Sequence, residues 1–279
     1  MNAPLIDRKS LIARLEARYA HGAPDLAAVW SHALDGLLGH RSSRAYLREP
    51  LEPGVLEAIV AAAQSASTSS NLQLWSVVAI EDDDRKARLA DLAGGQKHIR
   101  QAPLFLVWLA DLARARALAE AHAAPSEALD SLESLITGVV DASLAAQNAV
   151  VALESLGLGS VYIGGIRNRP EDVAAELGLP GLVMPVFGLC VGRPDPAAPA
   201  AVKPRLPQQA VLHRERYDTA AEADALHAYE AAMRAFQQAQ GLPADGWIST
   251  VLRRIGASAA LNGRERLRSA LERLGFHLH

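Results

Sequence analysis

The stretch ESLITGVVDASLAAQNAVVALESL (Glu133–Leu156) contains no proline and a single glycine, Gly138. Between Leu135 and Leu153 nearly every helical face is apolar or small. The spacing predicts one helix running from Ser126 to Leu156. A helix that is apolar all round is buried on all sides. A membrane span competes with that reading, but Asp141, Gln147 and Asn148 interrupt the run and argue against it. One domain of this size barely surrounds so long a helix, so burial against a second subunit is the simpler expectation.

The flanking segments alternate between the two regular periods. Residues from about Arg8 to Trp30 form polar-faced helical segments broken at HGAP and read as an N-terminal extension. PGVLEAIVAAAQSAS repeats apolar residues at helical spacing after an early proline. WSVVAIE (Trp75–Glu81) is short and β-branched, a strand. DDDRKARLADLAGG begins with acids and ends in glycine, which suits both ends of a helix. PLFLVWLAD (Pro103–Asp111) is a continuous apolar run, a buried strand, and a short helix follows to about His122. SVYIGGIRN is a strand entering a glycine turn, PEDVAAELGL a proline-opened helix and MPVFGLCVG a strand. VKPRLPQQAVLH is too rich in proline for regular structure. Beyond about Ala220 the chain is a helical arm. Few strands separated by helices point to an α/β or α+β class, in three segments: 1–30, 31–218 and 219–279.

The chain has 279 residues, half of them hydrophobic, with 28 Lys and Arg against 31 Asp and Glu, a formal charge of −3. Such a balance gives no long-range attraction for nucleic acid or an anionic membrane, so any anion site is local. Cys190 is the only cysteine, which excludes an intrachain disulfide and any cysteine-based metal cluster. Its place in PVFGLCVG makes it a core thiol. No secretory signal pattern is visible near the N-terminus, and the expected location is the cytoplasm.

No GxGxxG, GxxxxGK[ST], HExxH or GxSxG motif stands in its required setting, which lowers Rossmann, P-loop, zinc-protease and serine-hydrolase readings. Four polar clusters remain, each where regular structure begins or ends. They are His40-Arg41-Ser42-Ser43-Arg44, SASTSSNLQ (Ser65–Gln73), YIGGIRN (Tyr162–Asn168) and Lys203-Pro204-Arg205. Each has a plain alternative: a solvated helix end, a helix cap, a bend and a surface turn. Together they suit a ligand with a phosphate, a hydroxylated chain and a flat heteroaromatic ring, the description of flavin mononucleotide (FMN).

HRSSRAYLREPLEPGVLEAIVAAAQSASTSSNLQLWSVVAIED, LAGGQKHI, GVVDASLAAQNAVVALESLGLGSVYIGGIRN, VFGLCVG and KPRLPQQAVLH, in that order, resemble the FMN-dependent nitroreductase superfamily, in its NADPH-linked nitroreductase and flavin reductase branch. The resemblance spans about Leu37 to Tyr217. It implies an α+β fold with a central, mostly antiparallel sheet wrapped by helices. It also implies an intertwined homodimer with FMN at the subunit interface and the long apolar helix in that interface. The implied cofactor residues are His40, Arg41, Ser42 and Arg44; Thr68, Ser69, Ser70 and Gln73; Gln96; Tyr162, Ile163, Gly164 and Gly165; and Lys203 with Arg205. Asn71 stands where the nearest relatives carry an aromatic residue, and with Arg264 it is assigned to substrate. The extension before Ser31 has no counterpart.

The activity this implies is ping-pong transfer of a hydride from NAD(P)H to flavin N5 and onward to nitroaromatics, quinones or free flavin. No side chain acts as nucleophile and no metal is needed. A flavin store or sensor without turnover is the alternative. The branch reads the NADPH 2′-phosphate with arginines between two C-terminal helices, but the matching FQQAQGLPADGW (Phe236–Trp247) has no Lys or Arg. Weak discrimination between NADPH and NADH is therefore expected.

Overall fold

The computed structural model describes residues 8–20, 23, 24, 26, 30–220 and 222–279, and the expected break at HGAP lies partly outside them. In chain order the helices and strands begin with α1 (Arg8–Tyr19), α2 (His32–Gly39), α3 (Val55–Gln64), β1 (Trp75–Ile80), α4 (Asp83–Leu92) and α5 (Lys97–Gln101). They continue with β2 (Leu104–Asp111), α6 (Ala113–Ala121), α7 (Leu132–Ser155), β3 (Gly159–Ile163), α8 (Pro170–Leu177) and β4 (Val183–Gly192). The last three are α9 (Glu222–Ala239), α10 (Gly246–Ile255) and α11 (Leu267–Arg273). They form two compact units. The larger joins Ser42–Pro199 with Leu261–His279, and the smaller joins Met1–Arg41 with Ala200–Ala260. Leu271, Leu274 and Phe276, late in the chain, belong to the larger unit's core.

In the larger unit the four strands pair antiparallel throughout, in the order β1-β2-β4-β3. The class is α+β, with the antiparallel central sheet that the resemblance implies. Strand β2 lacks the apolar–polar alternation of a half-exposed strand because helices cover both faces. Phe105, Val107 and Leu109 pack with Leu89 of α4, Ile99 of α5 and Val173 of α8. Leu104, Leu106 and Trp108 face the other way, against Ile59 of α3 and Ala145 and Ala149 of α7. Each large side chain so buried stabilises the fold by roughly 1.5–3 kcal/mol before entropy is counted. Cys190 sits in β4, fully buried, and burial pushes its thiol pKa up. It is a core residue, as its strand pattern indicated.

Helix α7 begins six residues later than the sequence suggested. Ser131 caps it by accepting a hydrogen bond from the Ser134 N–H at 3.2 Å, and the preceding Glu127–Asp130 forms a separate 3-10 turn. Its small buried residues, Ala142, Ala145, Ala146 and Ala149, let it lie close against the sheet. The opposite face carries Leu132, Ile136, Val140 and Leu144, four residues apart along one stripe, and each is exposed within this chain. The helix is thus buried on one side by its own chain, and its other side is an unpartnered apolar surface. By length and composition α7 also passes for a membrane span.

The smaller unit contains α1, α2, α9 and α10. Residues 200–218 are irregular apart from one 3-10 turn at Gln208–Ala210, as the prolines required. Tyr229 of α9 is buried and meets Trp247 of α10 edge-on, with centroids 5.5 Å apart. Glu230 closes the start of α10 by accepting from the N–H groups of Trp247 at 2.7 Å and Ile248 at 2.9 Å.

Candidate functional site

The serine-rich segment folds as a short 3-10 turn, Ser69–Asn71, between α3 and β1. Its backbone is strained. Ser70, Asn71 and Gln73 have φ of 47°, 56° and 51°, the left-handed region that non-glycine residues avoid by roughly 1–2 kcal/mol each. What holds it is Asp141, only 1% exposed on α7. The carboxylate accepts from the Thr68 hydroxyl at 2.5 Å, the Ser69 N–H at 3.1 Å and the Leu74 N–H at 3.0 Å. Gly138, one turn earlier, leaves room for this approach: a Cβ there would lie 3.2 Å from the Leu74 carbonyl oxygen. Thr68 also accepts from the Gln73 N–H at 3.0 Å, so its hydroxyl serves the loop itself. Ser69, Ser70, Asn71 and Gln73 are exposed and available to a ligand. In the sequence Asp141 stands out only as an interruption of the apolar run. A lone carboxylate among apolar residues must find buried donors, and that was the signal for its structural role.

At the end of β3, Ile163 is buried in the core, so only its backbone can meet a ligand. Tyr162 is exposed and stands edge-on to Phe187. The two glycines differ. A Cβ on Gly165 would come within 2.4 Å of the Ala93 carbonyl oxygen and 2.6 Å of Gln96 Nε2, so that position admits no side chain. Gln96 is held there by donating to the Ala93 carbonyl at 3.0 Å. A Cβ on Gly164 would instead find the guanidinium nitrogens of Arg167 at 3.5 Å and Arg264 at 3.8 Å. Burial, and then the facing Arg264, lower the Arg167 guanidinium from its usual pKa. Neither arginine has a carboxylate partner among the described residues, so two like charges converge on one bare turn. Arg264 was expected at the site; Arg167 was not.

Ser42 bridges to Ser160 of β3, extending the sheet edge, and Arg44 is exposed. Arg44 lies near His98, whose imidazole is held below its usual pKa first by burial and then by that charge. In the smaller unit His40 ends α2, Arg41 follows it, and Lys203 and Arg205 are exposed on the proline turn. Arg205 donates to the Lys203 carbonyl at 3.2 Å, and Tyr229 donates to the Pro204 carbonyl at 3.1 Å. No cluster of metal-ligating side chains occurs among the described residues.

The family model described as the nitroreductase family matches residues 37–193, and that of the family's C-terminal domain matches residues 203–279. An FMN reductase [NAD(P)H] of Bacillus subtilis is 44% identical over 188 residues, covering 67% of this chain and 75% of the relative. An oxygen-insensitive NADPH nitroreductase of Salmonella typhimurium is 46% identical over 187 residues, with the same coverage. Among solved structures, the hypothetical oxidoreductase YcnD from Bacillus subtilis superposes with a TM-score of 0.84 at 37% identity, over 90% of this chain and 100% of that one. The chain described here belongs to the nitroreductase family.

Proposed function

We propose that this protein is an FMN-dependent oxidoreductase that takes electrons from NAD(P)H and delivers them to nitroaromatics, quinones or free flavin. The observation that supports this beyond family membership is the Gly164–Gly165 turn, bare of side chains and edged by Arg167 and Arg264. Two guanidinium groups beside Gly164, which carries no side chain, suit a planar ring that gains negative charge on reduction. The other donors are assigned by the family resemblance: His40, Arg41, Ser42 and Arg44 to the FMN phosphate and the flavin edge, and Lys203 and Arg205 to the phosphate. Ser69, Ser70, Gln73 and Gln96 offer hydroxyls and amides to the ribityl chain and ring edge, Tyr162 and Ile163 border the ring, and Thr68 shapes the loop. Asn71, near the ring, and Arg264, a candidate for the nicotinamide donor, are assigned to substrate.

When bound, FMN supplies the redox chemistry, taking a hydride from NAD(P)H and passing the electrons on in two half-reactions that share one pocket. The chain's own residues bind, orient and exclude water; none needs to be a nucleophile. The exposed stripe of α7 is the proposed homodimer contact, with FMN at the subunit interface. Adding NAD(P)H to the yellow protein without oxygen should bleach the flavin rapidly, and a quinone should restore the colour. Initial velocities against both substrates should give parallel reciprocal lines, as a ping-pong cycle requires. A yellow protein that NAD(P)H does not bleach would be a flavin store or sensor instead.

Replacing Lys203 and Arg205 together by Ala should weaken FMN retention at least tenfold with the fold intact. Charge-assisted phosphate contacts are worth about 1.5–3 kcal/mol each, and exposure to salt puts these two near the low end. Full flavin content after purification of the double variant would make the turn surface decoration.

The donor should be either nicotinamide. The turn before α10 holds no Lys or Arg, Asp245 lies 3.6 Å from Arg253, and Glu230 already occupies the N–H groups at the helix start. Arg234 reaches this turn, donating to the Ala244 carbonyl at 2.8 Å, but Glu230 already holds its guanidinium at 2.9 Å, so a 2′-phosphate finds no uncompensated arginine there. The kcat/KM ratio for NADPH over NADH should stay below about 100-fold, or roughly 2.7 kcal/mol. A larger ratio would place a cationic site elsewhere, and Arg264→Ala is the first variant to test it.

A further inference from the structure

Helix α1 lies upstream of the region matched by the family model, which begins at residue 37. One of its side chains nevertheless reaches the backbone of both cationic segments in the smaller unit. Arg18 is 5% exposed. Its guanidinium donates to the Leu38 carbonyl at 2.8 Å and the His40 carbonyl at 2.6 Å, and through its other terminal nitrogen to the Lys203 carbonyl at 2.9 Å. Its own carbonyl accepts from the Arg205 N–H at 2.8 Å.

We infer that Arg18 is a positioning residue that braces the end of α2 against the Lys203–Arg205 turn, making the N-terminal helix a working part of the phosphate grip. The inference rests on the FMN reading above. His40, Arg41, Lys203 and Arg205 are groups of like or potentially like charge on two segments far apart in sequence. Holding them near one another before an anion arrives is opposed by their repulsion. A planar guanidinium bonded to three carbonyls fixes both backbones at once, which a lysine ammonium matches poorly. Each carbonyl bonded to Arg18 is also unavailable to repel an incoming anion. Pre-organisation of this kind raises affinity by removing the ordering cost from the binding step.

The test compares FMN with riboflavin, which lacks the phosphate, in the full chain stripped of flavin. Dissociation constants are read from flavin fluorescence for wild type, Arg18→Ala and Arg18→Lys, with melting curves alongside. Arg18→Ala should weaken FMN at least tenfold, about 1.4 kcal/mol, while riboflavin changes less than threefold; Arg18→Lys should fall between. Arg18→Lys keeps the charge and carries the comparison if the alanine variant does not fold. Equal losses for both flavins would mean general loosening and overturn the inference, as would unchanged FMN affinity. A wild type that binds neither flavin would overturn the cofactor reading itself, a separate and recognisable failure.

Discussion

Asp141→Ala should lower the melting temperature by about 10 °C and free the loop that follows α3. The carboxylate satisfies three donors, and the Leu74 N–H among them is buried. An unsatisfied buried donor costs about 1–3 kcal/mol, and the two partly buried donors add roughly 1 kcal/mol each. The total, about 3–5 kcal/mol, corresponds to about 10 °C in a chain of this size at 2–4 °C per kcal/mol. The left-handed backbone at Ser70, Asn71 and Gln73 then has nothing to hold it. The loop should relax, seen as faster amide exchange over residues 69–74. Asp141→Asn keeps the shape and an acceptor oxygen, so it should lose less than half as much. Because Asn71 is carried by this loop, the acceptor KM should rise in the asparagine variant with a smaller change in kcat. A melting temperature within about 2 °C of wild type for the alanine variant would show that water or a neighbouring group replaces the carboxylate.

Val140→Asp should dissociate or aggregate the protein and strip it of flavin. Val140 is 47% exposed in the middle of the α7 stripe, between Ile136 and Leu144. A contiguous stripe of large aliphatic side chains marks a contact surface. Burying a carboxylate in such a contact without a partner costs several kcal/mol, and a two-fold interface repeats the charge on the opposite subunit. The change should leave the chain's own core intact, since Ala142, Ala145 and Ala149 face the sheet. Solution scattering should report monomers or aggregates in place of a dimer, with FMN content far below one per chain. A stable dimer with full flavin would move the interface away from α7, and a well-behaved monomer that keeps its FMN would sink the shared site.

The elements that sequence alone determined are those whose signals are local. The helix from Asp83 announces itself through its acids, and the side chain of Asp82 does cap it, accepting from the Arg85 N–H at 2.7 Å. Pro170 opens α8 and Gly178 closes it in the left-handed conformation, within eight residues of one another. The unbroken apolar run of β2, the glycine turn after β3 and the ordered motifs from Leu37 to Tyr217 were legible in the same way, and with them the fold and the family. Tertiary structure alone decided which face of α7 the chain covers, that Asp141 clamps a loop 73 residues earlier, and that Arg18 reaches a carbonyl 185 residues away. The reason is physical. Caps, turns and periodicity arise from bonds between near neighbours and leave a pattern in the letters. A hydrogen bond that closes a long loop depends on the whole backbone path between its ends, so Asp141 reads only as an interruption and Arg18 only as a charge until the chain has folded.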